Sequence, residues 1–246
     1  QRAMDQVVHD VCMQNLPVTF AVDRAGLVEE DGETHQGLLD IPWSRPVPNL
    51  VMTAPRDEES LRHLFLYGGK HEGPVMIRFP RGTAVPCLKK GSSLITPSAP
   101  DILKPEILEA GSEWALIGYG KTVELMLRAR ETARSQGIFP LPTVMDLRCL
   151  KPLPEQDLRE ILASHSFAIV AEDGYATGGA GEAIAAMTRN MTEDKPAALS
   201  LMGVPDIFVP QGTIREQEEY CGLTPGKVVN CFVEFQKRAY RQAARI

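Results

Sequence analysis

The sequence has no apolar run near the ~20 residues that a membrane-spanning helix needs, and its opening, Gln1-Arg2-Ala3, lacks the basic-then-apolar pattern of a leader. A membrane role is therefore not expected. Cysteine is sparse: Cys12, Cys87, Cys149, Cys221 and Cys231 are scattered, odd in number and without CxxC spacing. That usage points to reduced thiols in a cytoplasmic setting, not to a disulfide frame. An excess of basic residues is also missing. At a net charge of -6 the chain has no basic stripe to neutralise a phosphate backbone, which argues against nucleic acid as a partner. Neither the cysteines nor the five histidines fall into a metal-ligand spacing, so no metal site is assigned to the chain itself. No tandem repeat is present.

What is there is an ordinary globular composition, 43% hydrophobic and 24% charged over 246 residues. That length suits one large or two ordinary domains of roughly 100–200 residues each. The chain begins already in helical pattern, with Met4, Val7, Val8, Val11 and Cys12 on one face to about Asn15. No cap precedes it, so the expectation is that it begins inside an element of something larger. Strands are expected at Val18 to Val22, Asn49 to Ala54, Pro74 to Phe79, Trp114 to Ile117, Thr143 to Asp146, Phe167 to Glu172 and Ala198 to Met202. Helices are expected from Pro55 to Gly68, Thr122 to Gln136, Glu155 to Ser164, Glu182 to Asn190 and Pro225 to Arg245. Strands alternating with helices predict an α/β fold with two mostly parallel αβα domains. The proline-rich and aperiodic stretch 84–106 reads as a linker between residues 1–83 and 107–246.

Two glycine turns look chemical but read better as architecture. Gly118-Tyr119-Gly120-Lys121-Thr122 resembles the end of a phosphate-binding loop, yet Ala115 stands where its first glycine is required, so a tight strand-to-helix turn is preferred. Gly178-Gly179-Ala180-Gly181 could hold an anion at a helix start, but Ile184 breaks the dinucleotide spacing and close helix packing is the better account. His9, His63, His71 and His165 sit on predicted helices or their edges with no partner evident in sequence.

The informative stretch is Val18 to Gly37. A strand-like run stops at Asp23-Arg24 and gives way to a polar segment that carries Asp31 and His35 between glycines. Ligands of open α/β sheets gather at the carboxyl ends of strands, where loops vary on a fixed frame. Arg81 follows another predicted strand beside Pro80 and Gly82. Guanidinium forks match phosphate oxygens in a way that lysine does not, so Arg24 and Arg81 could grip one phosphate if their strands are neighbours. Two unrelated surface arginines are the competing account.

Three stretches carry a family resemblance: Gln1-Arg2-Ala3 with Asp5-Gln6, the segment from Asp23 to Gly37, and Arg78-Phe79-Pro80-Arg81-Gly82. Later come Leu150-Lys151-Pro152-Leu153, Glu172-Asp173-Gly174, Gly203-Val204-Pro205-Asp206 and Pro210-Gln211-Gly212. Together they resemble the 1-deoxy-D-xylulose-5-phosphate synthases, which are transketolase-like enzymes. The early loop is specific to that family; the later motifs are shared with transketolases and with β-type subunits of 2-oxoacid dehydrogenases. The resemblance implies the rear of a pyrimidine-binding domain (1–83) followed by a transketolase C-terminal domain (107–246). It implies a transferase that uses thiamine diphosphate and Mg2+ to condense pyruvate with glyceraldehyde 3-phosphate, losing carbon dioxide, on the route to isoprenoids, thiamine and pyridoxal.

Carried over residue by residue, Arg24 and Arg81 would hold the acceptor phosphate. Asp31 and His35 would act beside the reacting carbons, and Arg2 would lie against the cofactor. The family's metal and diphosphate ligands belong to an N-terminal part of the enzyme, which becomes an expected partner together with a second copy in a homodimer. The chain by itself is expected to be inactive. Two other readings stay open, a β-type 2-oxoacid dehydrogenase subunit and a non-catalytic dimerisation or scaffold fragment. Glu29 stands where the family commonly has glycine, so a positive φ there would strain the loop. Met4 and Trp43-Ser44-Arg45-Pro46 also depart from the family's usual residues.

Overall fold

The structure, a computed structural model, describes residues 2–83, 102–191 and 196–243. Cys87 and most of the proposed linker, 84–101, lie outside the described residues. The chain starts with α1 (Met4–Gln6), which runs into a π-helical stretch, Val7–Cys12. It continues through β1 (Thr19–Val22), one-turn 3-10 helices at Glu29–Asp31 and Glu33–His35, and α2 (Asp40–Ser44). Next come β2 (Val51–Thr53), α3 (Glu58–Gly68) and β3 (Val75–Arg78). The second half holds β4 (Glu106–Glu109), β5 (Trp114–Gly118), α4 (Thr122–Ser135), β6 (Thr143–Asp146) and β7 (Cys149–Lys151). It ends with α5 (Glu155–Ser164), β8 (Phe167–Tyr175), α6 (Ala180–Thr188), β9 (Ala198–Val204), α7 (Ile214–Cys221) and α8 (Pro225–Ala243).

Two parallel-dominated sheets result, ordered β1-β3-β2-β7 and β4-β6-β5-β8-β9. Each carries one antiparallel edge strand, β7 against β2 and β4 against β6. Both edge strands were invisible in sequence because each is short and lacks a run of β-branched residues. Ile102 is packed in the cluster that holds Val51, Val75 and Ile77 of the first sheet, and β4 opens at Glu106. α2 was missed because its prolines read as extended chain. Pro42 falls in the first turn, where the missing N–H costs nothing. α7 was missed although its signals are local: Thr213 and Glu216 form a capping box, and Gly222 closes the helix at φ +74°. α3 likewise starts from a reciprocal cap between Asp57 and Ser60.

The two halves share a core. Ile41, Leu50 and Met52 of the first pack with Ala115, Ile117, Met145, Leu158 and Val170 of the second. β7 explains why: the strand comes from the second half and completes the first half's sheet, and Lys151 at its end donates to the Val47 carbonyl. A buried ion network reinforces the joint. Arg56, 9% exposed, reaches Asp146 at 2.7 Å and Glu106 at 2.8 Å, and Arg148 binds the same Glu106 oxygen. Farther out, Trp114 stacks on Phe232 with centroids 4.1 Å apart and planes 1° from parallel, pinning α8 to β5.

Candidate active site

β1 and β3 are parallel neighbours in a register that pairs Val22 with Arg78. Their carboxyl ends therefore open on the same edge of the sheet. The pairing continues past the strands, because Phe79 N–H donates to the Val22 carbonyl at 2.9 Å and Ala25 N–H to the Phe79 carbonyl at 3.0 Å. Arg24 and Arg81 leave the edge side by side. Arg24 Nη1 donates to Asp31 Oδ2 at 2.9 Å, and Arg81 Nη1 donates to the same oxygen at 3.0 Å. The arginine side chains are 49% and 44% exposed and Asp31 29%, so the cluster faces solvent. Two guanidinium charges share one carboxylate, and a net positive site remains.

The loop that carries Asp31 is closed on itself. Gly26 and Gly37 exchange N–H···O bonds of 2.8 Å, and the Gln36 amide oxygen accepts from Val28 N–H at 3.0 Å. A β-carbon on Gly37 would lie 2.1 Å from the Arg24 carbonyl, which accounts for glycine at that end of the loop. The loop also rests on the second half. Leu27 and Leu38 are buried with Val204, Val209 and Leu223. Gln217 on α7 grips the Glu29 backbone from both sides, accepting from its N–H and donating to its carbonyl at 3.2 Å each, and donates to Pro210 at 3.0 Å. The motifs 203–206 and 210–212 thus support the loop. Glu29 sits at φ +58°, so a non-glycine residue does occupy a left-handed position there.

Beneath the loop lies a buried polar layer. Arg78, 2% exposed, donates to Asp40 Oδ2 at 2.6 Å and to the Asp173 carbonyl at 2.8 Å, and lies 5.8 Å from the Tyr119 ring centroid. Burial opposes the Arg78 charge, but Asp40 and the other acidic neighbours outweigh it and hold the pKa above its ordinary value. Burial pushes the Asp173 carboxyl upward, against the pull of Arg78 and Lys121. Glu172 accepts from the Tyr119 hydroxyl at 3.0 Å and from the N–H groups of Ala180 at 2.7 Å and Gly181 at 2.9 Å. The start of α6 is therefore occupied by the chain's own carboxylate, as a helix N-terminus favours. A β-carbon on Gly179 would fall 2.1 Å from that carboxylate, so glycine here serves close packing. The Gly118–Thr122 turn is structural too: Thr122 Oγ1 lies 2.9 Å from both the Tyr119 and Ala171 carbonyls, which share its one O–H, and accepts from Tyr119 N–H at 3.0 Å.

The structure brings together Arg24, Arg81 and Asp31 of the residues singled out from sequence. His35 is exposed on the same loop, with Nδ1 2.9 Å from Thr34 Oγ1. Arg2 is exposed ahead of α1 and makes no hydrogen bond to the cluster. The other histidines do have partners, contrary to the sequence reading: His63 meets Arg62 at 2.8 Å, His71 meets Tyr67 at 3.0 Å, His165 meets Thr143 at 2.8 Å and His9 meets Asp5 at 3.1 Å. Arg62 is adjacent in sequence, Asp5 and Tyr67 stand four residues before their histidines, and only Thr143 is distant, 22 positions away. Arg78, Asp40 and Gln217 went unweighted in sequence. The available signal for Arg78 was an arginine inside an otherwise apolar strand.

Comparison with known proteins bears on the family and the fold. The family model for the transketolase pyrimidine binding domain matches residues 1–85, and that for the transketolase C-terminal domain matches residues 103–228. The 1-deoxy-D-xylulose-5-phosphate synthase of Desulforudis audaxviator is 38% identical over 240 residues, which is 97% of this chain and 36% of that protein. The synthase of Pelotomaculum thermopropionicum is 36% identical over 247 residues, covering 100% of this chain and 38% of that protein. The chain thus spans little more than a third of the length of the curated relatives it matches. A solved structure titled "Split gene transketolase, inactive beta4 tetramer" superposes with a TM-score of 0.79 at 27% identity, covering 93% of this chain and 70% of that one. With both domain models matched in succession and the two-sheet architecture reproduced, the chain belongs to the transketolase family.

Proposed function

We propose that this chain forms the acceptor-binding part of a thiamine-diphosphate-dependent transferase that condenses pyruvate with glyceraldehyde 3-phosphate to 1-deoxy-D-xylulose 5-phosphate. The observation that carries the reading is the convergence of Arg24 and Arg81 on one carboxylate oxygen at the edge where β1 and β3 end. Two forks held a hydrogen bond from a common anion are already spaced for a phosphate. The synthase relatives support the reaction class.

In this reading the cofactor supplies the nucleophilic carbon equivalent derived from pyruvate. The residues of this chain do the rest of the acceptor's handling. Arg24 and Arg81 would fix the phosphate, and Asp31 and His35, on the same loop, would hold or move a proton at the acceptor's hydroxyl and carbonyl oxygens. Arg2 would contact the cofactor. Among the described residues no group of three or more His, Cys, Asp or Glu could hold a metal ion. The reading assigns the Mg2+ and diphosphate anchors to the remainder of a longer or two-part enzyme, working as a dimer in the cytoplasm. No helix among the described residues is long and apolar enough to cross a membrane.

The test is acceptor selectivity in the complete enzyme. Arg24→Ala and Arg81→Ala should each cut kcat/KM for glyceraldehyde 3-phosphate by about tenfold to a hundredfold, the value of a hydrogen bond to a charged group. Turnover of unphosphorylated glyceraldehyde should change little. Equal losses on both acceptors would remove the phosphate assignment, and product formed by the 246-residue chain alone would overturn its standing as one part of a site.

A further inference from the structure

We propose that Asp31 is the resident counter-ion of the acceptor-phosphate site, a specificity-determining residue that a phosphate dianion must displace from Arg24 and Arg81. The inference rests on the phosphate reading above and adds an exchange of anions to it. Both guanidinium groups spend a donor on Oδ2 of the same carboxylate. An incoming phosphate needs those donors. If Asp31 stayed in place, one carboxylate and one dianion would share two cations, giving an excess of negative charge. With Asp31 out, two cations and one dianion balance. Monoanionic and neutral acceptors gain less than the carboxylate they would replace, so the exchange favours the dianion.

Asp31 is part-exposed on a loop whose backbone is anchored on both sides, so its side chain can turn away without unfolding its surroundings. Asp31 ends the one-turn helix Glu29–Asp31, and left-handed residues flank its side, Glu29 at φ +58° and Gly32 at φ +73°. The backbone on either side of Asp31 is tied down, by Gln217 at Glu29 and by the Gly26 and Gly37 exchange at the base. A short segment between fixed ends can turn its side chain outward while the arginines remain at the sheet edge. The released carboxylate is then free to meet the acceptor's hydroxyl groups.

The test is calorimetric titration of the 246-residue chain with inorganic phosphate at pH 8, where phosphate is a dianion. Asp31→Asn, which keeps the shape and removes the charge, should bind phosphate about three- to tenfold more tightly than the parent, the scale of two solvent-exposed ion pairs. Asp31→Glu should stay within about twofold of the parent because it retains the competing charge. If Asp31→Asn fails to fold by circular dichroism, Asp31→Ser carries the same expectation. Phosphate affinity that is unchanged or weaker in the neutral variants, while Arg24→Ala and Arg81→Ala still weaken it, sinks the counter-ion role and leaves the phosphate site standing. If the arginine variants also leave phosphate binding unaltered, or no variant binds phosphate, the phosphate reading falls together with this inference.

Discussion

Gly26 and Asp173 are packed so closely that a β-carbon on Gly26 would lie 2.0 Å from the Asp173 carboxylate. One belongs to the base of the arginine loop and the other to the Glu172-Asp173-Gly174 stretch of the second half. The contact adds to the Gln217 bonds and the Leu27 and Leu38 packing that seat the loop on the second half. Gly26 is also at φ +83°, where a side chain is strained whatever the space. Gly26→Ala should therefore destabilise by about 2–4 kcal/mol. Gly137, at φ +68° with open space around it, isolates the backbone penalty, and Gly137→Ala should cost only about 1 kcal/mol. Denaturant unfolding of both variants checks this, and equal losses would refute the packing claim.

Arg78 and Asp40 form a buried pair, 2% and 14% exposed in their side chains, joined at 2.6 Å. Removing one partner leaves the other charge without compensation in a poorly solvated place. Arg78→Met should cost about 3–5 kcal/mol, while the Arg78→Met, Asp40→Leu double variant should recover a large part of it. A double-mutant cycle measures the difference, and additive losses would show that the pair is not coupled.

His63 gives the fold a pH dependence of definite sign. It is 5% exposed, and its Nε2 faces the Arg62 guanidinium at 2.8 Å. A guanidinium can only donate, so Nε2 accepts and the ring is neutral. Burial, then Arg62, lowers its pKa from the ordinary 6.5. The unfolded chain then binds the proton more readily than the folded one, so stability is full above about pH 6.5 and is lost as pH falls through the lowered value. Unfolding free energies between pH 7.5 and 5.5 should fall less steeply for His63→Gln than for the parent. Parallel slopes would show that this histidine is not the source.

Glu29 holds a left-handed backbone conformation at φ +58° while Gln217 binds its N–H and carbonyl. Glu29→Gly keeps both backbone bonds and removes the β-carbon strain, against a gain of freedom in the unfolded chain. A net stabilisation of about 0.5 kcal/mol is expected. A rise in thermal midpoint without loss of phosphate binding checks it, and a fall would mean that the glutamate side chain contributes more than the strain it imposes.

Much of this molecule was legible in sequence because the signals are local. Thr143–Asp146 and Glu155–Ser164 form a strand and a helix at the expected bounds. Their patterns are uninterrupted, and a proline stands just ahead of each, Pro142 and Pro154. The departures share a physical cause: β4 and β7 are three or four residues long and exist only because a neighbouring strand offers its edge. No periodicity can announce such an element. The pairing of His165 with Thr143 and the internal capping of α6 by Glu172 are of the same kind, since the partners are brought near by the fold.

The sequence by itself determined that strands and helices alternate, that Arg24 and Arg81 each follow a strand, and that Gly32 and Gly37 punctuate the loop between. Those features depend on a few adjacent residues and their backbone preferences. Only the tertiary structure decided that both arginines share Asp31, that Arg78 is buried beneath them on Asp40, and that the loop leans on Gln217 and Val209. Strand order and register set those relationships. Parallel pairing of β1 with β3 carries residues more than 50 positions apart in sequence to one sheet edge, and charge then draws them onto a single carboxylate.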